Sequence, residues 1–307
     1  MKTLETVSAV LASAQTCLMD TLPARTHQRP LLSRNITLIL APLLAALCWI
    51  APAQEPAEPG FDHEHKQWTS VLAAVVHDDR VDYEALAKDH SALDQYLAKL
   101  TTTDRQDFAQ WTKAQQLAFW INAYNAFTLQ TVLMNYPLVD VDSLRDVGGK
   151  ASGKVWKRKS LHLGQLIAAS SNAEISLDDV LELALRQQFK DARVHAALCK
   201  GCLGSPTLRS SAFTSAALDK ELDAAARAWL ADSRRTKFDR EQRRVEAADL
   251  FDTYREDFVR EQGSVEAWIA RYAPLDQRVW LAEPAGFERH ALAFDWKLND
   301  LERGEAK

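Results

Sequence analysis

The 307 residues are 47% hydrophobic and 26% charged, with a formal charge of −5. That mild acidity, and the want of any basic face long enough to track a phosphate backbone, exclude a nucleic-acid partner. The length allows one sizeable core or two modest ones, and no low-complexity linker separates two.

Arg34 opens an almost wholly apolar run, from Ile36 to Ile50, that closes on Ala51-Pro52-Ala53, the small-x-small pattern a signal peptidase accepts. The run contains Pro42 and falls short of the roughly 20 apolar residues that span a bilayer. It predicts a secretory signal cleaved after Ala53, with no permanent membrane span afterwards. Lipid attachment at Cys48 is disfavoured, because Leu47 stands where a small residue is needed. The segment before Arg34 carries Glu5 and Asp20, against the short basic n-region usual in signals, and translation from Met19 gives a more ordinary leader. Residues 1–53 are therefore assigned to an N-terminal extension and signal, and their removal takes the formal charge to about −7. The expected location is outside the cytoplasm, in the periplasm.

Residues 54–64 are Pro-rich and acidic and read as a flexible tether; the domain is expected over 65–300 and a polar tail over 301–307. Trp68, Leu72, Val75 and Val76 recur at helical spacing, as do Leu93, Tyr96, Leu97 and Leu100 after the turn-like His77-Asp78-Asp79-Arg80. From Gln115 to Tyr136 the apolar residues cover most of a helix's circumference, which predicts a buried central helix ended by Pro137. The glycines and basic run to Lys159 predict an exposed loop or hairpin. Ser176-Leu-Asp-Asp179 resembles a capping box and opens a helix that stops before Asp191. Arg193 to Leu198, short and apolar, is read as a buried strand. Three more helical patterns follow around Leu218–Trp229, Leu250–Phe258 and Val265–Tyr272, and Leu292, Phe294, Trp296 and Leu298 alternate like a strand. The fold class is α+β: a helix-dominated single domain with a small sheet and a buried central helix.

Asn122 and Asn125 lie three apart in the most buried helix, beside Tyr124. A buried amide without partners costs about 1 to 3 kcal/mol, so other polar groups must answer this pair, either as an internal network or by lining a ligand cavity. His195 sits in an apolar segment where burial favours the neutral imidazole, able to move a proton or to hold a network. Cys199, Cys202, Ser205 and Arg209 follow closely, so Ser205 with His195 forms a candidate nucleophile and base. Only Cys199 and Cys202 survive signal cleavage, and an oxidising compartment favours a disulfide between them. Their spacing also admits a redox dithiol, with Lys200 lowering a thiolate's pKa, although Gly201, Gly204 and Pro206 make a following long helix unfavourable. No zinc-spaced His and Cys pairs, glycine-rich phosphate loop or Gly-x-Ser-x-Gly elbow occurs, so no metal or cofactor is assigned.

Arg80-Val-Asp-Tyr83, Leu117-Ala-Phe-Trp-Ile-Asn-Ala-Tyr-Asn-Ala-Phe-Thr128, Ser176-Leu-Asp-Asp179, Ala192-Arg-Val-His-Ala-Ala-Leu198 and Phe294-Asp-Trp-Lys-Leu-Asn-Asp300, taken in order, resemble the domain of unknown function 547 family. The resemblance spans roughly residues 65–300 and implies an often exported bacterial domain of unassigned role. The family pattern places one cysteine five residues after the histidine and another before a Pro-Pro pair; here these positions hold Lys200 and Ser205, and the second proline is Thr207. A Glu-His pair of the family is here Leu181-Glu182. Any thiol mechanism of relatives would therefore be lost, while Asn122, Asn125 and His195 remain.

These features predict a non-catalytic or degenerate domain that binds a small molecule or peptide through Asn122, Tyr124, Asn125, His195 and Arg209. The alternatives are a hydrolase or transferase using Ser205 or a cysteine with His195, and a periplasmic dithiol protein through Cys199 and Cys202. The sequence specifies no oligomeric state.

Overall fold

In a computed structural model, residues 60–168 and 170–301 are described. The secretory signal and its cleavage site lie outside them. The first helices α1 (Lys66–Val75), α2 (Tyr83–Lys88), α3 (Ser91–Thr101) and α4 (Arg105–Gln110) lead to α5 (Lys113–Leu133), the longest helix. The start of α5 is fixed by a reciprocal capping box: Gln115 N–H donates to Thr112 Oγ1, and Thr112 N–H donates to Gln115 Oε1. Its interior is buried nearly all round, with Phe119, Trp120, Ile121 and Tyr124 wholly inaccessible, as its unbroken apolar circumference predicts. No helix of the described residues is long and apolar enough to cross a membrane.

Between α1 and α2, β1 (Val76–His77) and β2 (Arg80–Val81) form a small antiparallel ribbon. A second sheet has the order β3 (Thr236–Asp239), β4 (Arg244–Ala248), β5 (Glu288–Leu292). The β3–β4 pair is antiparallel, and β4 pairs with β5 in parallel through Val245 opposite Arg289. Helices dominate and the sheets are small, so the class is α+β.

The described residues hold two apolar clusters. The larger surrounds α5; the smaller gathers Trp229, Phe251, Phe258, Trp268 and Trp280.

Four local expectations are corrected. Arg193–Leu198 is not a strand: Val194–Ala197 is a helical turn, with His195 N–H donating to Ala192 O and Ala196 N–H to Arg193 O. A short apolar run fits either state, and here no strand lies alongside to pair with it. The C-terminal strand lies earlier than the alternation suggests, at Glu288–Leu292; Asp295 to Leu298 instead bonds to the Cys202–Gly204 loop. Within the basic run, Lys154–Lys157 is helical and buries Val155 and Trp156. Finally, Phe61 and His63, counted in the tether by composition, pack on Trp111 with ring centroids 4.8 and 4.5 Å away.

Candidate functional site

His195 is 3% exposed and held on three sides. The Tyr254 ring stacks on it at 4.5 Å between centroids and 22° between planes, and Phe258 lies 5.4 Å away. Its Nε2 is 2.8 Å from Asp257 Oδ2. Asp257 also accepts from Arg186 Nε at 2.6 Å and pairs with Arg260. Arg186 pairs in turn with Glu182 and lies 4.6 Å over the Tyr254 ring, so Tyr254 contacts both His195 and Arg186, two of the three partners of the carboxylate.

The electrostatics follow from these contacts. Burial opposes the Asp257 charge, but hydrogen bonds from His195 and Arg186 outweigh it and hold the carboxyl well below the usual range. Burial lowers the His195 imidazole, and Asp257 offsets only part of this. The consistent state is a neutral imidazole donating Nε2–H to a carboxylate whose charge is matched by arginine.

The helix carrying Arg186 has an unusual middle. Ser176 and Asp179 form the expected capping box, and Val180–Arg186 then adopts π-helical winding. Such wide turns often mark functional positions, and this one places Leu181 at a cavity wall.

That cavity, about 160 Å³, lies beside His195. Leu181, Leu198, Pro206, Leu250, Phe294 and Trp296 supply apolar walls; His195, Lys200, Ser205, Asp249 and Tyr254 supply polar atoms. Of the candidate residues, His195 and Ser205 thus come together. Ser205 is 1% exposed, and its Oγ donates to the Cys202 carbonyl at 2.7 Å.

Cys199 and Cys202, which are not in the cavity lining, are two free buried thiols, which corrects the expected disulfide. Cys199 Sγ is 3.5 Å from Ser205 Oγ and receives Gly201 N–H at 3.4 Å and Asn299 Nδ2 at 3.8 Å. Burial raises both thiols, Cys202 to about 12, so Lys200 does not produce the lowered thiolate that a redox motif requires.

The amides do not line the cavity. Asn122 Nδ2 donates to Phe213 O at 2.7 Å while its Oδ1 accepts Phe213 N–H at 3.0 Å. Asn125 makes the equivalent pair with Ala197 O and Cys199 N–H, both at 2.9 Å. Tyr124 is fully buried, and its hydroxyl has no hydrogen-bond partner among the described residues. Arg209 lies elsewhere: it bonds Glu221 at 3.0 Å, lies 4.5 Å over the Phe213 ring, and borders a separate hollow with His77 and Asp78.

Sequence reasoning missed Asp257, Arg186, Tyr254 and Asp249. The one available signal was a carboxylate, Asp257, set between Tyr254 and Phe258 on an apolar helical stripe. Nothing local tied it to His195, 62 residues away.

Residues 108–230 match the model of the family described as "Protein of unknown function, DUF547". The matched stretch holds α5, His195, both cysteines, Ser205 and Arg209. Leu181, Lys200 and Ser205 all border the cavity. No curated protein and no solved structure matches the chain.

Proposed function

Since residues 108–230 match the DUF547 family model, which assigns no function, we propose that the protein is an exported, non-catalytic binding domain that holds a small molecule, or one side chain of a peptide, in the cavity beside His195. The carrying observation is a cavity with recognition groups but no activated nucleophile. Ser205 Oγ is committed to the Cys202 carbonyl, His195 Nε2 to Asp257, and both thiols are raised by burial. General-base catalysis needs the base within about 3.2 Å of the attacking atom, or one water away. No hydrogen bond among the described residues joins His195 to Ser205 or to either thiol.

Volume limits the ligand. A cavity of about 160 Å³ holds the equivalent of roughly five liquid waters, enough for a small branched or aromatic body. Export is supported by the apolar run Ile36–Ile50 before Ala51-Pro52-Ala53, and mass spectrometry of the mature protein should find Gln54 as its first residue.

A thermal-shift screen of small apolar molecules tests the binding role. Hits should raise Tm, and the rise should shrink in His195→Ala and vanish in Leu250→Trp, whose larger side chain fills the cavity from a half-buried position. Unchanged shifts in both variants would remove the cavity from the binding role. The shared border of Ser205 and His195 also supports a hydrolase reading: steady turnover of p-nitrophenyl acetate, abolished by Ser205→Ala, would replace the binding role with it.

A further inference from the structure

The cavity is bordered by two opposite charges that do not meet. Lys200 is half-buried and Asp249 exposed, yet neither makes a side-chain hydrogen bond or an ion pair within 4.0 Å among the described residues. The charges around them behave otherwise. Arg186 and Arg260 both pair with Asp257, Arg235 with Asp232, and Arg209 with Glu221. Asp178 influences Lys200 electrostatically, but it too forms no ion pair with it.

The ammonium of a half-buried lysine and the carboxylate of an exposed aspartate on one cavity, each without a direct partner, are complementary to a ligand that carries both charges. The same cavity has aliphatic and aromatic walls, Leu181, Leu198, Leu250 and Trp296 among them. A ligand that joins an ammonium and a carboxylate on one carbon, with a short branched body behind them, has that distribution. Its carboxylate would take Lys200, its ammonium Asp249, and its side chain the apolar walls.

We infer that the cavity beside His195 binds a free α-amino acid with an aliphatic side chain, Lys200 and Asp249 holding its two charged groups; this rests on the binding role proposed above. The probes are L-leucine, 4-methylpentanoate (which lacks the ammonium), 3-methylbutan-1-amine (which lacks the carboxylate) and 3-methylbutan-1-ol (which lacks both), titrated calorimetrically into the mature protein.

L-leucine should bind about tenfold more tightly than either singly charged analogue. Lys200→Met should weaken L-leucine and 4-methylpentanoate and spare the amine; Asp249→Asn should weaken L-leucine and the amine and spare 4-methylpentanoate. Neither side chain makes a hydrogen bond or an ion pair among the described residues, so both variants should keep about the wild-type Tm. If the alcohol binds as well as L-leucine and neither variant alters any affinity, the charge assignment fails while the cavity remains a binding site. If L-leucine binds but Leu250→Trp leaves its affinity unchanged, the site lies elsewhere and the inference fails. If none of the four probes binds, the amino-acid assignment is wrong, and the screen of other apolar molecules then decides the broader role.

Discussion

Asn125 uses both ends of one amide. Its Nδ2 donates to the Ala197 carbonyl and its Oδ1 accepts the Cys199 N–H, each at 2.9 Å, so it fixes the chain as it leaves the helical turn that carries His195. Truncation would strand a buried acceptor and a buried donor together. Each stranded group costs about 1 to 3 kcal/mol, so Asn125→Ala should lower unfolding stability by about 3 kcal/mol in urea denaturation. An effect below about 1 kcal/mol would mean that water replaces both bonds. That these amides needed partners was legible from their place in a buried helix. Which partners they take was not, because Ala197 and Cys199 lie 72 and 74 residues further along. Asn122 and Asn125 therefore hold backbone and do not border the cavity, whereas Lys200, Asp249 and Tyr254 do.

Elements follow the same division between local and distant information. The helix α5 was legible because its cap and its apolar circumference are local properties. The β3–β4 hairpin was not, since Thr-Lys-Phe-Asp and Arg-Val-Glu-Ala-Ala alternate weakly and take their burial from distant neighbours. The start of α1 carries a consequence for pH. His65 precedes this helix in a left-handed conformation (φ 49°) and is 1% exposed. Its Nδ1 is 2.8 Å from the Tyr96 hydroxyl, while Nε2 is buried without a partner. Burial lowers the imidazole to about 4; Asp62 raises it slightly and His63 lowers it further. The unfolded chain has the ordinary value of 6.5, so it binds more protons than the folded chain between these limits. The contribution is complete above pH 6.5 and is lost as the pH falls toward 4. Between pH 7 and pH 5 the loss should be about 2 kcal/mol. His63 and His195 are also lowered and tilt stability in the same direction, so the measurement is a difference. Urea unfolding at the two pH values should show a smaller loss in His65→Gln than in the wild type. Equal losses would assign the acid sensitivity to the other imidazoles.

Among the described residues, the segment that carries His195 has side chains in both apolar clusters, as does the helix Leu218–Ala231. Val194, Ala197, Leu198 and Cys199 pack into the cluster around α5, while Ala192 and Ala196 pack into the cluster of Trp229, Phe251 and Trp268. A turn with side chains in both cannot open without disturbing both. The bridge from Arg186 to Asp257 crosses the same boundary, and Tyr254 packs against each cluster. The cavity thus lies where two packed bodies meet around a rigid turn, a common setting for a small ligand site. The thiols report on this arrangement. Cys199 and Cys202 are 2% and 3% exposed, and burial keeps both protonated near neutral pH. Alkylation requires an exposed thiolate, so it requires opening of the segment that holds them. Iodoacetamide at pH 8 should leave both unmodified in the folded protein, as read by intact mass. Across a urea series, modification should rise at the same midpoint as the change in tryptophan fluorescence, because both would follow one cooperative opening. Rapid modification without a fluorescence change would mean that the loop from Cys199 to Ser205 opens by itself. The turn beside His195 would then be a mobile rim of the cavity, and ligand entry through that loop would follow.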